Sequence, residues 1–270
     1  MPHADLTQSA WNALSDEAAT RVARAVAAGA GATLAHVGPH SYAGRSGRVA
    51  FLDRDGLRFA LVPGGTVDLG FDPSRCTLTA RQAAHFTEAA QEWGLSGSPL
   101  DFIAASTSAA RRVDLPARLV AVRATASEEL IDDEDEEADG HDWVIAGLRA
   151  RGLRPPTPDE WEHACGAGAT TLFRWGDDYP DGEPYGTVPL IQDPNLFGLV
   201  IAADPYASEF TTDPEVFCGG DGGAALCGGY GSFLSWLTLA TAYREATLAE
   251  TVVDGGLTEE TPVRPVIEIP

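Results

Sequence analysis

Lysine is missing from this chain of 270 residues. All eighteen basic residues are arginine, against forty aspartates and glutamates, for a formal net charge of −22. That surplus repels nucleic-acid phosphates and excludes DNA and RNA as expected partners. It suits cationic partners or divalent ions instead. Cysteine occurs only four times, at Cys76, Cys165, Cys218 and Cys227, and never as CxxC, which argues against a structural zinc site. No stretch offers ~18 unbroken apolar residues, so no membrane span is expected. The opening Met1 to Ser9 lacks a basic start and an apolar core, so no secretory signal is expected and a cytoplasmic location follows. No GxSxG occurs and no Ser–His–Asp order stands out, which places a hydrolase well behind other functions.

What is present is a globular composition, 44% hydrophobic, with 29 glycines scattered through short patterned segments. Ser15, followed by Asp16 and Glu17, starts an alanine-rich helix that ends at Gly29. Residues 1–45 read as this helix and a glycine- and serine-rich loop, carrying His36 and His40, packed on a main domain of residues 46–270. Cys76 and Cys165 read as small buried hydrophobes. Asp55-Gly56 joins two strands in a hairpin, and Pro63-Gly64-Gly65 turns into a further strand, Thr66 to Gly70. Thr79 and Gln82 form a capping box for a helix whose buried side is marked by Ala83, Phe86, Ala90 and Trp93. His85 lies on or beside that face as a boundary residue. Arg111 to Arg123 has strand character bent at Pro116. The six acids Asp132 to Glu137 predict a mobile surface loop, and weak calcium binding is a candidate role without the spacing of an EF-hand. Asp142 caps a short helix, Trp143 to Ala150.

The densest signal lies between Arg154 and Asp177. Thr157 and Glu160 make a capping box, Pro158 fits the first helical position, and Asp159, Glu160 and Glu162 place charge against the positive helix end. Trp161, Ala164 and Cys165 share a buried face, Gly166 and Gly168 stop the helix, and Phe173 and Trp175 alternate around Arg174 as in a half-buried strand.

These residues resemble the formylglycine-generating enzymes, or sulfatase-modifying factors. Arg154, Pro156 and Thr157 match an Arg-Leu-Pro-Thr run. Glu160, Trp161, Glu162 and Ala164 match a Glu-x-Glu-Trp-Glu-Tyr-Ala core, with His163 in place of tyrosine. Trp175, Gly176 and Asp177 match a Trp-Gly-Asp. Asn195, Gly198 and Leu199 resemble the family's Asn-x-x-Gly-Leu, and Arg244 and Arg264 resemble arginines near its last strands. The resemblance covers residues 58 to 269, with its firm motifs from 152 to 222. It implies an α+β fold, the formylglycine-generating variant of the C-type lectin fold: irregular and loop-rich, with short strands and few helices.

The chemical segment departs from the pattern. Asp204-Pro205-Tyr206 and Ser208-Glu209-Phe210 replace Gly-Asn and Trp-Glu-Trp. Cys218-Gly219-Gly220-Asp221 replaces Arg-Gly-Gly-Ser, and the one cysteine pair, Cys218 and Cys227, is spread too far in sequence to match the family's. Asn195, Glu209 and Asp213 stand at or near family calcium positions, which makes calcium a candidate there. Two functions remain. The preferred one is a binding or accessory protein that keeps the fold without the chemistry. Asp221, Gly222, Gly223, Arg244 and Trp236 would line its site, and exposed backbone N–H groups of Gly219 to Gly231 would hold an anion, small molecule, peptide or protein partner. The alternative is an oxidase acting on a thiol or peptide through Cys218 and Cys227 with copper, or with iron held by His163, Asp221 and Glu209.

Overall fold

The computed structural model describes residues 3–131, 140–185, 188–245 and 261–269. They form an α+β molecule with three small sheets. Strands β1 (Thr33–Tyr42), β2 (Arg45–Arg54) and β3 (Leu57–Val62) form a meander. After β4 (Gly65–Leu69) and β5 (Arg111–Leu115), strand β6 (Arg118–Ala121) joins that meander. β7 (Thr125–Ala126), β8 (Glu209–Phe210), β9 (Phe217–Cys218), β10 (Pro262–Val263) and β11 (Val266–Glu268) complete the set. The main sheet runs β1-β2-β3-β6-β11 and is antiparallel throughout. A second sheet, β7-β10-β8-β9, is mixed, because β10 pairs β8 in parallel through Val263 and Phe210. β4 and β5 stand as a separate ribbon. Pro116 separates β5 from β6 and so sends the two halves of Arg111 to Arg123 into different sheets.

Two-residue turns set the meander. Ala43-Gly44 and Asp55-Gly56 all take positive φ, the geometry that matches the twist of hairpin strands. The first of these turns lies inside the expected glycine- and serine-rich loop. Residues 33–42 are a full strand instead, in register with β2 from Thr33–Asp53 to Tyr42–Arg45. Its bulge at Ala35 and its mixed composition hide the period-2 pattern. The chain before residue 46 therefore contributes a strand to the main sheet.

Ten helices occur among the described residues, more than the few expected, and most are short. α1 (Gln8–Ala13) and α2 (Asp16–Gly29) precede the meander; α2 is capped by Ser15 and lies along β1. Trp11, Ala19, Ala23 and Val26 share one core with Leu52, Phe59, Leu61 and Leu119 of the sheet. α3 (Ala80–Trp93) has the capping box from Thr79, but its buried stripe is Gln82, Phe86 and Ala89. Ala83 and Trp93 point outward, because Gln82 donates its amide to Asp177 O at 2.7 Å and fixes the rotation of the helix. α4 (Pro99–Ala105), α5 (Ser127–Leu130) and α6 (Gly140–Ala150) follow, with Asp142 inside the first turn of α6 rather than at its cap. The acids Asp132 to Glu137 lie outside the described residues.

α7 (Pro158–Gly166) begins with the expected capping box and ends on left-handed Ala167 followed by Gly168. The expected strand around Arg174 is a reverse turn, with Phe173 and Gly176 bonded to each other through both N–H groups. Phe173 and Trp175 stack at 4.9 Å, with the buried Arg174 guanidinium 4.8 Å from the Trp175 ring. α8 (Pro189–Gln192), α9 (Ala224–Cys227) and α10 (Ser232–Leu237) complete the helices. Among the described residues no helix is long and apolar enough to cross a membrane.

Gly64 tests the packing directly. A Cβ there would lie 2.0 Å from Leu115 O, although the φ is ordinary; at Gly44 the φ is positive and the space is open. Gly64→Ala should lower stability by about 3 kcal/mol through overpacking, and Gly44→Ala by only about 1–2 kcal/mol through left-handed strain. Urea midpoints at unchanged slope give both values; equal losses would refute the steric account.

Candidate functional site

α7 is buried from Glu160 to Gly166, although it carries two carboxylates and a histidine in that span. A carboxylate leaves water at high cost unless it is paired and fully hydrogen-bonded. Each one here is. Glu160 accepts from Arg154 at 2.7 and 2.8 Å, from the Thr157 N–H at 2.9 Å, and from Arg118. Burial alone pushes its carboxyl upward, but Arg154, the Thr157 N–H and Arg118 together hold it below its ordinary value of 4.5. Glu162 takes the Gly70 N–H on Oε1. Its Oε2 takes the Ser108 hydroxyl at 2.8 Å, Arg111 at 3.0 Å and Arg244 at 2.5 Å.

Trp161 between them donates Nε1–H to Glu209 Oε2 at 2.8 Å. Arg264 meets the same carboxylate twice, at 2.8 and 2.6 Å, and spends its remaining donors on Ala121 O and Val200 O. His163 donates Nε2–H to Pro63 O at 2.8 Å, and burial keeps the ring neutral by lowering its pKa.

Calcium finds no ligand set in Asn195, Glu209 and Asp213. Asn195 Nδ2 donates to Ala164 O and Cys165 O, and its Oδ1 accepts from Phe197 and Leu199. Glu209 is closed by Arg264 and Trp161, and Asp213 lies on an exposed turn where it accepts the Glu215 N–H. The iron set fails in the same way, because His163 and Glu209 are already engaged. Among the described residues no group of three or more metal-ligating side chains gathers.

The expected binding wall is also taken apart. Trp236 is fully buried, donates Nε1–H to Gly182 O at 2.7 Å and stacks on Tyr179. Arg244 is committed to Glu162 and Tyr243 O. Asp221 accepts the N–H groups of Gly223 and Ala225, and burial raises its pKa. Gly222 faces open space, whereas a Cβ on Gly223 would strike the Tyr206 ring. The N–H groups of residues 221, 223–225 and 227–230 are all bonded within the segment or to Pro205 O, so they offer no anion nest. The glycines serve close approach: a Cβ on Gly219 would meet Trp161, and one on Gly220 would meet Ala207 O.

All four cysteines are free thiols. Cys76, Cys165 and Cys218 are buried. Cys218 pairs with Glu209 in the β8–β9 ladder, and burial pushes its thiol up to about 12. Cys227 is exposed at the end of α9, 3.8 Å from Tyr206 Oη. His40 bonds Asn195 O at 2.9 Å, His36 stacks on Phe51, and His85 meets Tyr179 Oη at 3.1 Å, so none of the three stands alone. Sequence reasoning missed the Ser108–Arg111–Glu162–Arg244 cluster, since its members lie far apart in the chain. The one available signal was Glu162, second in a Glu-x-Glu pair straddling a core tryptophan.

Beside Glu162 and His163 a cavity of about 590 Å³ opens between α7, β4 and the start of β5. No family model and no curated protein matches the chain.

Removing one partner of a buried pair leaves an uncompensated charge. Arg264→Leu should cost roughly 3–5 kcal/mol, and Arg264→Leu/Glu209→Leu should recover part of it. Chemical denaturation of the three proteins measures this; a double variant no better than the single would refute the account. For His163, the unfolded chain takes the proton first as pH falls, so stability declines below about 6.5. The stability that Glu160 contributes is complete above 4.5 and is lost as pH falls through its lower folded value. Stability profiles of wild type and His163→Gln should diverge in slope just below pH 6.5; parallel profiles would show that His163 does not titrate on unfolding.

Proposed function

We propose that this chain is a divergent formylglycine-generating-enzyme-like protein that binds a partner and has lost thiol-oxidase chemistry. The observation that carries the reading is the separation of its two candidate thiols. Cys218 is sealed among Trp161, Cys165 and Leu199, while Cys227 stands in solvent. Copper(I) held by two soft thiolates needs both sulfurs on one accessible ion and a lowered thiol pKa. Cys218 has the opposite: burial, with Glu162, Glu209 and Cys165 adding to the upward push against Arg244.

The motif residues shared with that family support the fold half of the proposal. Glu160, Trp161, Glu162, Asn195, Asp177 and Arg264 each close a buried or half-buried hydrogen-bond set. The binding half is supported by the surface around Cys227. The large hydrophobics exposed among the described residues are Trp93, Tyr185 and Tyr206. Tyr206 lies on Cys227 and Gly223, and Trp93 packs edge-on to Tyr230 at 4.6 Å, next to Gly228. Aromatic rings on a chain of charge −22 suit a peptide bearing arginine or lysine.

Anaerobic copper(I) titration of wild type, Cys218→Ser, Cys227→Ser and the double variant should give no stoichiometric binding above the double variant. Tight copper lost in either single variant would restore the oxidase. A labelled arginine-containing peptide should bind wild type and lose about tenfold or more in Trp93→Ala/Tyr206→Ala, which keeps the net charge. Equal binding by that variant would assign the effect to bulk charge and sink the proposed surface.

A further inference from the structure

The cavity beside α7 is separate from the aromatic surface: none of Trp93, Tyr185 and Tyr206 lines it. Its volume, about 590 Å³, is in the range of small-molecule sites. β4 and the turn after it form one wall, the 168–172 segment another, and Gln8 of α1 reaches in from the side. Its formal charges balance: Asp68, Asp72 and Glu162 against Arg75, Arg111 and Arg112, with a neutral His163.

Most of those charges are already spent. Arg112 forks onto Asp68 at 2.7 and 3.2 Å, and Arg111 is consumed by Asp159, Glu162 and Ser108. Several polar groups of its lining remain uncommitted among the described residues. The Arg75 guanidinium makes no hydrogen bond or ion pair, although its charge acts on Asp72 and Asp68. Asp72 uses Oδ1 for Ser74 and leaves Oδ2 open. The Gln8 amide has no partner and lies against Gly168. His163 uses Nε2–H on Pro63 O, which leaves Nδ1 free to accept, and the Thr241 hydroxyl on the same cavity is buried without a partner. A buried polar atom without a partner, as Thr241 Oγ1 is, costs stability unless something supplies one.

We infer that this cavity is a binding site for a small zwitterion of the free α-amino-acid class. Arg75 receives its carboxylate, since a guanidinium forks onto a carboxylate with two parallel hydrogen bonds. Asp72 receives its ammonium. Gln8 and His163 Nδ1 meet the polar groups of its side chain. A simple anion satisfies Arg75 and leaves Asp72 opposed; a simple cation does the reverse.

Isothermal titration of the full chain with each of the twenty protein amino acids, to about 10 mM, tests this. Acetate and ethylammonium are the single-charge controls. At least one amino acid should bind at one per chain, with both controls silent. Arg75→Ala and Asp72→Asn should each weaken it about tenfold or more with an unchanged circular dichroism spectrum, and the His163 Nδ1 nitrogen resonance should move on ligand addition. Saturation by no amino acid, equal affinity in Arg75→Ala, or matching binding of acetate would each overturn the site. Trp93→Ala/Tyr206→Ala should leave amino-acid binding intact, which separates a failure here from a failure of the peptide surface.

Discussion

Everything near the centre of this molecule depends on burying a helix that carries charge. α7 is buried from Glu160 to Gly166, so the carboxylates of Glu160 and Glu162 are largely withdrawn from water. A buried carboxylate is tolerable only with a cation and a complete set of hydrogen bonds. Arg118, Arg154, Arg111 and Arg244 come from four separate stretches of chain to supply them. Arg264 does the same for Glu209, one strand away. These pairs act as long-range registers: β6, the entry to α7, the start of β5 and the segment after α10 reach their partners only in the observed topology.

Arginine suits this task better than lysine. Arg264 divides its donors among both oxygens of Glu209 and two backbone carbonyls. Arg45 and Arg174 donate to backbone carbonyls, the first at the C-terminal end of α7 and the second at Ala202 and Ile191. A single ammonium cannot span such sets. The only basic residue type in this chain besides histidine is therefore used where planar, multiple donation is required.

Local signals were legible and rotational or long-range ones were not. Capping boxes at Thr79 and Thr157, the Asp55-Gly56 turn and the break at Pro116 are decided by neighbours in sequence, and each stands as read. The buried face of α3 was misread because Gln82 is polar, and its burial depends on Asp177 far along the chain. β1 was misread because its partner, not its composition, makes it a strand. The glycine-rich segment was open to two readings. Glycine reads equally as an exposed nest or as room for a neighbour, and only the positions of the Trp161 ring and the Ala207 carbonyl decide between them.

That last distinction bears on what a motif match means. The residues that suggest a family here bond to one another and hold α7 in place, so their likeness speaks to architecture. The residues that would speak to chemistry, Cys218 and Asp221, have turned inward to a strand pair and a backbone cap. Fold and reaction are specified by different side chains and can part company. In this chain the charged helix keeps its full set of partners while the thiol beside it is raised to about 12 by the same burial. The burial that makes the carboxylates of α7 structural also disfavours the Cys218 thiolate.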